Sequence, residues 1–362
     1  MESFWLKYIL FFITSVIVSL LLNGILLRFS KTLGMRNPND TIMRWNNQVK
    51  PSLGGISFYV LFLLSISSYS FIFHNSAIFS DKQLSGMVGV CSMAFFMGLA
   101  DDAYNTKPVL KFLVQVLCAV VLIITGNIIQ IFPIMYLNYA FTILWVVGMM
   151  NSLNMLDNMD AITATVSINI ILSALMVLYL NNGIDHVNAW LLIGLMGTLF
   201  GFLYFNWNPS KLFMGDTGSQ FLGVFLATIG IHYLWNSADA SGNVIQSKQF
   251  YVTILTFLIP IVDTTIVVIN RISRGKSPFI GGKDHTTHHI SYLGLSDRKV
   301  AIIFAALSFL SMLGTFFITK YINDWGYTHI ILFGIYFLTL FGVLFYITRT
   351  TKPKIENVKK AD

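Results

Sequence analysis

Aspartate carries most of the chemistry this sequence can offer, and it does so in short polar runs between long apolar stretches. The run Gly98-Leu99-Ala100-Asp101-Asp102-Ala103-Tyr104-Asn105 places two adjacent carboxylates at the end of an expected helix. There the helix dipole and their mutual repulsion disfavour both charges, unless a divalent cation or a cationic group offsets them. Lys107 and Lys111 follow closely and would suit a phosphate group. In Asn151-Ser152-Leu153-Asn154-Met155-Leu156-Asp157-Asn158-Met159-Asp160, polar side chains recur every third residue. Either neighbours share a face of one winding helix, or the helix breaks and splays them into a pocket. Amides and carboxylates of this kind match a nucleobase edge and a ribose.

Two further runs suit phosphate. In Lys211-Leu212-Phe213-Met214-Gly215-Asp216-Thr217-Gly218-Ser219, glycines permit close backbone approach. Asp216 near a helix N-terminus can hold Mg²⁺ while substrate oxygens complete the shell. Asp and Thr are also good caps, so the run alone reads equally well as a helix start. The fourth run is Arg271-Ile272-Ser273-Arg274-Gly275-Lys276-Ser277-Pro278, continued by Lys283-Asp284-His285-Thr286-Thr287-His288-His289. The forks and point charges of Arg271, Arg274 and Lys276 suit a diphosphate. The histidines find no cysteines to complete a structural zinc site, so contacts to sugar and phosphate are the better reading. Asp263 lies within an apolar stretch, where a charge is costly and usually functional or paired. It precedes Arg271 by about 12 Å of helix, close enough to support the site from behind.

The elements that must position these runs are membrane helices. Apolar residues make up 55% of the 362 and charged residues 11%, far below the roughly 25% charged of a soluble domain. Mean hydropathy is +0.70. Eleven stretches approach the length of about 20 residues that a span needs: 5–27, 53–73, 84–100, 110–130, 134–151, 161–180, 188–206, 217–236, 249–270, 299–319 and 327–347. Strand alternation is absent, and helices satisfy their own backbone in lipid. The expected fold is therefore an all-α polytopic membrane protein with about eleven transmembrane helices. It forms one integral-membrane catalytic domain over 1–350 and a short basic tail over 351–362. Met1 to Arg28 lacks a basic start and a small-residue cleavage site, so it reads as a retained first helix.

With the N-terminus outside, only Lys7, Lys82, Lys248 and Lys320 of the 23 Lys and Arg lie on the outer side. The remainder, among them Lys31, Arg36, Arg44, Lys354, Lys359 and Lys360, lie inside with the C-terminus. That bias explains the net charge of +7 better than nucleic acid does. Asp101, Asp102, Asp157, Asp160, Asp216, Asp284 and the three histidines all fall on the same inner face. An interfacial enzyme fits this asymmetry better than a secondary transporter, whose site should lie near the midplane between repeats. Cys91 and Cys118 fall inside apolar stretches and read as small buried hydrophobes.

Taken together, the runs resemble the polyprenyl-phosphate N-acetylhexosamine-1-phosphate transferases (WecA- and MraY-like, glycosyl transferase family 4). The resemblance extends in family order from Pro51-Ser52-Leu53-Gly54-Gly55 through His289. It implies that Asp101 and Asp102 are the paired aspartates of the reaction centre and Asp216 the magnesium aspartate, with Mn²⁺ the alternative ion. It also implies that Asn154, Asp157 and Asp160 face the nucleotide. Lys111, Arg271, Arg274, Lys276, His285, His288 and His289 would hold phosphate and sugar, with Asp263 behind them. Clustered aspartates would otherwise repel two anionic substrates, which also argues for a metal.

The implied substrates are a UDP-N-acetylhexosamine and polyprenyl (undecaprenyl) phosphate, with UMP released at the cytoplasmic face of a bacterial inner membrane. The lipid-linked product would initiate a cell-envelope polysaccharide such as lipopolysaccharide O-antigen or a cell-wall polymer. Membrane lipid surrounds such a protein, and a homodimer is compatible with it. Three departures stand out: Asn105 replaces a common third aspartate, Asn158 replaces a usual glycine, and the histidine loop reads His-Thr-Thr-His-His. The last favours the N-acetylhexosamine branch over phospho-N-acetylmuramoyl-pentapeptide transfer.

Overall fold

The computed structural model describes residues 2–30, 50–74, 80–181, 187–238, 244–278 and 281–352, all helices, turns and loops. The expected inner cations Lys31, Arg36, Arg44, Lys354, Lys359 and Lys360 lie outside these residues, as does most of the expected tail. The helices are α1 (Glu2–Phe29), α2 (Gly54–Ile72), α3 (Lys82–Tyr104), α4 (Pro108–Ile124), α5 (Met135–Leu156), α6 (Ile162–Asn181) and α7 (Val187–Asn206). They continue with α8 (Gly215–Gly230), α9 (Gln246–Thr256), α10 (Leu258–Ser273), α11 (Thr286–Tyr292), α12 (Asp297–Tyr321) and α13 (Tyr327–Thr350).

All eleven stretches expected to span are helical, but not all are uninterrupted. Among the described residues eight helices are long and apolar enough to cross a membrane, or nine if α9 and α10 count as one bent span. The expected 110–130 shortens to α4, and 217–236 divides where α8 loosens into a π-turn over Ile231–Trp235. The expected 249–270 bends by 78° between α9 and α10. Pro260 explains that break. It has no N–H to offer the preceding turn and its ring crowds the carbonyl four residues back, so a new helix starts just before it.

α8 is the hub. Nearly every one of its residues is buried, and it packs against α3, α5 and α2, while α1 lies on α7 and α12 on α6. Close approach of α3 to α8 depends on Gly98, where a Cβ would come within 2.4 Å of the Asp216 carbonyl oxygen. The first amides of α2 are satisfied by the loop before α8: Gly54 and Gly55 donate to the Phe213 and Met214 carbonyls, each at 3.0 Å. This hub brings the ends of α3, α5 and α8 together.

Candidate active site

The α3 terminus is built around its two aspartates. Asn105 takes the left-handed conformation (φ 50°) that Asn tolerates better than most residues, and its N–H closes on the Asp101 carbonyl at 2.8 Å. The residue that departs from the family's aspartate is thus a helix stop. Asp101 Oδ1 then accepts from the Thr106 N–H at 2.8 Å and the Thr106 hydroxyl at 2.7 Å. Its other oxygen meets Lys111 Nζ at 2.5 Å, and the same ammonium lies 2.7 Å from Asp216 Oδ2. One lysine therefore bridges the first and third motifs.

Asp102 has a different role. Its Oδ1 accepts from the Asp216 N–H at 3.1 Å, and its Oδ2 from the Thr217 N–H at 2.9 Å and hydroxyl at 2.7 Å. It caps α8, whose own N-cap residue Met214 makes no side-chain cap bond. Gly215 (φ 70°) admits it, since a Cβ there would lie 2.4 Å from Asp102 Oδ2. The paired aspartates are not interchangeable: Asp102 holds the helix that carries Asp216, and Asp101 faces the ammonium.

Among the described residues no group of three or more His, Cys, Asp or Glu is placed to hold a metal. The charge argument for a metal is also weaker than the sequence suggests, because Lys111 already offsets two carboxylates. The donor set still fits a hard cation shared with substrate. Oxygens of Asp101 and Asp216 converge on one cationic nitrogen, and Mg²⁺ or Mn²⁺ commonly takes one or two carboxylates plus phosphate oxygens.

The second motif breaks rather than winding on. α5 ends at Leu156, leaving Asn151 and Asn154 on the helix and Asp157 and Asp160 beyond it. Asn151 and Gln115 exchange an amide hydrogen bond of 2.8 Å, and Gln115 reaches Gln220 at 3.1 Å. Asn154 donates to Ser219 Oγ at 2.9 Å, tying this motif to α8. Asp157 is half-buried at the turn. Asp160, expected to face the nucleotide, is buried and accepts from the Ser210 N–H and hydroxyl and from Asn208 Nδ2, at 2.8–3.0 Å. It orders the loop before α8.

The fourth motif closes on α11. Asp263 accepts from His285 Nδ1 at 2.9 Å, the Thr286 N–H at 2.9 Å and the Thr286 hydroxyl at 2.5 Å, so it caps α11 from α10. His285 N–H points to His288 Nδ1 at 3.4 Å. Burial, reinforced by His285, pushes His288 down to about 3, so it is neutral at pH 7. Thr287 donates to Asn158 Oδ1 at 2.6 Å, joining α11 to the second motif through the residue that replaces a glycine.

Arg271 grips Asp284 through Nε (2.9 Å) and Nη2 (2.7 Å) and donates from Nη1 to the Pro278 carbonyl at 2.8 Å. Burial alone would raise the Asp284 carboxyl, but the Arg271 fork outweighs it and holds the group below its ordinary value. Arg271, expected to bind diphosphate, thus has three of its donors engaged in shaping the loop. Arg274 and Lys276, with Lys283 and Lys352, line an adjoining cavity of about 870 Å³ whose wall includes His289, Tyr292 and Thr351. Thr351 and Lys352, placed by sequence in the tail, belong to that wall.

The four motifs therefore touch in series. Asp101, Lys111 and Asp216 form the centre; Ser219 and Asn154 lead to the second motif; Asn158 and Thr287 lead to α11; Asp263 and Arg271 secure the cavity. Sequence reasoning gave no role to Thr106, Thr286 or Thr351, and placed Asp284 on the inner face without its Arg271 partner.

Known proteins resemble this chain over the stretches that carry the motifs. The family model described as Glycosyl transferase family 4 matches residues 84–234, which contain the first three motifs. A Bacillus subtilis protein named probable undecaprenyl-phosphate N-acetylglucosaminyl 1-phosphate transferase is 27% identical, over 84% of this chain and 83% of its own. A Mycobacterium leprae decaprenyl-phosphate N-acetylglucosaminephosphotransferase is 24% identical over 70% and 69%. A Streptococcus uberis phospho-N-acetylmuramoyl-pentapeptide-transferase is 29% identical over 59% and 71%. With the matched stretch carrying the Asp101–Lys111–Asp216 centre, the chain is similar to glycosyl transferase family 4 over its first three motifs.

Proposed function

We propose that this protein transfers N-acetylglucosamine-1-phosphate from UDP-N-acetylglucosamine to polyprenyl phosphate, releasing UMP and forming the lipid-linked sugar that starts an envelope polysaccharide. The observation that carries this reading is the continuity of the site. A carboxylate–ammonium centre at the helix ends runs through amide and hydroxyl contacts into a cation-lined cavity. One end suits a phosphate monoester at the membrane surface, and the other a sugar diphosphate.

Asp101, held by Thr106 and Lys111, faces the acceptor and can take any residual proton from the lipid phosphate. Lys111 draws that phosphate in. Asn154 and Asp157 lie on the nucleoside side, while Arg274 and Lys276 bind donor phosphate from the cavity wall. Asp216 and Asp101 would hold a Mg²⁺ or Mn²⁺, which would supply positive charge to offset the diphosphate. The same reading places eleven crossings in a bacterial inner membrane, with the N-terminus outside and the site on the cytoplasmic side. It makes 1–350 one catalytic domain followed by a cytoplasmic tail whose first residues, Thr351 and Lys352, lie in the cavity wall.

The test uses purified protein, Mg²⁺, undecaprenyl phosphate and a panel of UDP-sugars, with lipid products read by mass spectrometry. UDP-N-acetylglucosamine should yield a diphosphate-linked lipid and UDP-MurNAc-pentapeptide none. No product from the first, or equal rates from both, overturns the assignment. A secondary transporter would instead show solute flux in proteoliposomes without product.

A further inference from the structure

The end of α13 is fastened across the donor side of the site. Thr348 Oγ accepts from Asn270 Nδ2 at 2.9 Å, Arg349 Nη2 donates to Ser273 Oγ at 3.0 Å, and Thr351 Oγ meets His289 Nδ1 at 2.6 Å. Thr351 and His289 both line the cavity.

The proton count at this contact is informative. A threonine hydroxyl has one hydrogen, and that of Thr351 points to the Ile347 carbonyl at 2.7 Å. The 2.6 Å contact then takes its hydrogen from His289 Nδ1. Burial and the nearby Arg274 both lower the affinity of His289 for a second proton. A neutral imidazole with hydrogen on Nδ1 has only a lone pair on Nε2. Four of the side chains around the same cavity, Arg274, Lys276, Lys283 and Lys352, can only donate.

We propose that Thr351 is a positioning residue that sets His289 as a hydrogen-bond acceptor for an O–H or N–H of the donor sugar. Phosphate oxygens, which carry no hydrogen to give at neutral pH, go to the cations, and the imidazole reads the hydroxyl or acetamido group beside them. This rests on the reaction assigned above and adds a determinant from a helix end that the aspartate and histidine motifs do not include.

The experiment compares binding of UDP-N-acetylglucosamine with binding of UDP, which lacks the sugar, to detergent-purified wild type, Thr351→Val, Thr351→Ser, His289→Ala and the Val/Ala double variant. Turnover of wild type is measured in parallel. Loss of one hydrogen bond of this kind predicts that T351V and H289A each weaken the sugar nucleotide about tenfold while UDP changes less than about twofold. T351S should restore binding, and the double variant should bind no worse than H289A, because both changes remove the same contact. Equal weakening of UDP and UDP-N-acetylglucosamine, unchanged binding of both, or additive losses in the double variant overturns the inference. Absence of wild-type turnover overturns the assigned reaction instead, so the two failures are told apart.

Discussion

Replacing Asp263 by asparagine removes one charge and changes the shape of the site by a single atom type. The carboxylate is 1% exposed and accepts three hydrogen bonds from the start of α11. Asparagine Oδ1 can keep both Thr286 contacts. Its Nδ2, however, donates, and it would face the His285 Nδ1 that the carboxylate now receives. The ring must change tautomer or turn away, and a hydrogen bond to a charged group, worth about 1.5–3 kcal/mol, is lost. Expressed in the reaction, that is roughly a 10–150-fold fall in kcat/KM. Asp263→Ala loses all three contacts and should fall further, with a drop in thermal stability that the asparagine variant largely escapes. The assay is lipid-linked product formation by detergent-purified protein whose unfolding midpoint is measured alongside. A D263N enzyme with wild-type kcat/KM would refute the argument that this aspartate holds the histidine loop in its working geometry.

Three other outcomes follow from the geometry. Asp216→Asn should abolish turnover at any practical Mg²⁺ level while the protein stays folded, because an amide is a poor ligand for a hard cation; full wild-type activity in EDTA contradicts the role given to Asp216. His288, held near 3 in the folded protein against about 6.5 unfolded, makes the unfolded state bind more protons between those values. Stability should therefore fall as pH drops below 6.5, by about 2 kcal/mol at pH 5, and His288→Gln should flatten that slope; an unchanged slope rules the histidine out. Finally, with polyprenyl phosphate removed, labelled UMP should not exchange into UDP-N-acetylglucosamine. The lipid phosphate, with a second pKa near 6, is already a competent nucleophile, whereas Asp102 is occupied as a helix cap; exchange without lipid would instead establish a covalent intermediate.

The loops that carry the chemistry were legible because membrane helices leave few places for polar residues. Four aspartate-, lysine- and histidine-bearing runs between apolar stretches could hardly be anything but a site. What each residue does there was less legible, since that depends on contacts across 50 to more than 100 residues of sequence. Asp102 and Thr217 are 115 positions apart, yet one caps the helix that begins beside the other. Lys111 looked like a ligand for lipid phosphate, and its second partner, Asp216, lies 105 positions on. The break of the second motif after Leu156 was one of two readings, because a three-residue spacing continues on a helix as readily as it ends one. Thr351 carried no signal at all: a threonine next to a basic tail gives no sign that the helix end turns back onto His289.

Exposure divides the polar residues of the motifs by task more sharply than residue type does. Lys111 and Asp216 leave 24% and 23% of their side chains exposed, enough for a phosphate to replace one partner of the pair. Asp263 leaves 1% and Arg271 6%, and each has its hydrogen bonds directed at a loop or helix start. Asp102 and Asp160 likewise bind backbone N–H groups of the segments on either side of Gly215. A carboxylate with both oxygens committed to loop or helix-start donors has little left to offer a ligand, and removing it leaves those donors unsatisfied in a place water reaches poorly. Asp101, also buried, gives only Oδ1 to Thr106 and keeps Oδ2 on the part-exposed Lys111. Loss of Asp102, Asp160, Asp263 or Arg271 should thus reach the reaction through the shape of the site and register in unfolding as well as in turnover. Loss of Asp216 should register in turnover alone, because its partner Lys111 is part-exposed and can turn to solvent. The family's aspartates, alike on paper, divide in this chain into those that build the site and those left open to work in it.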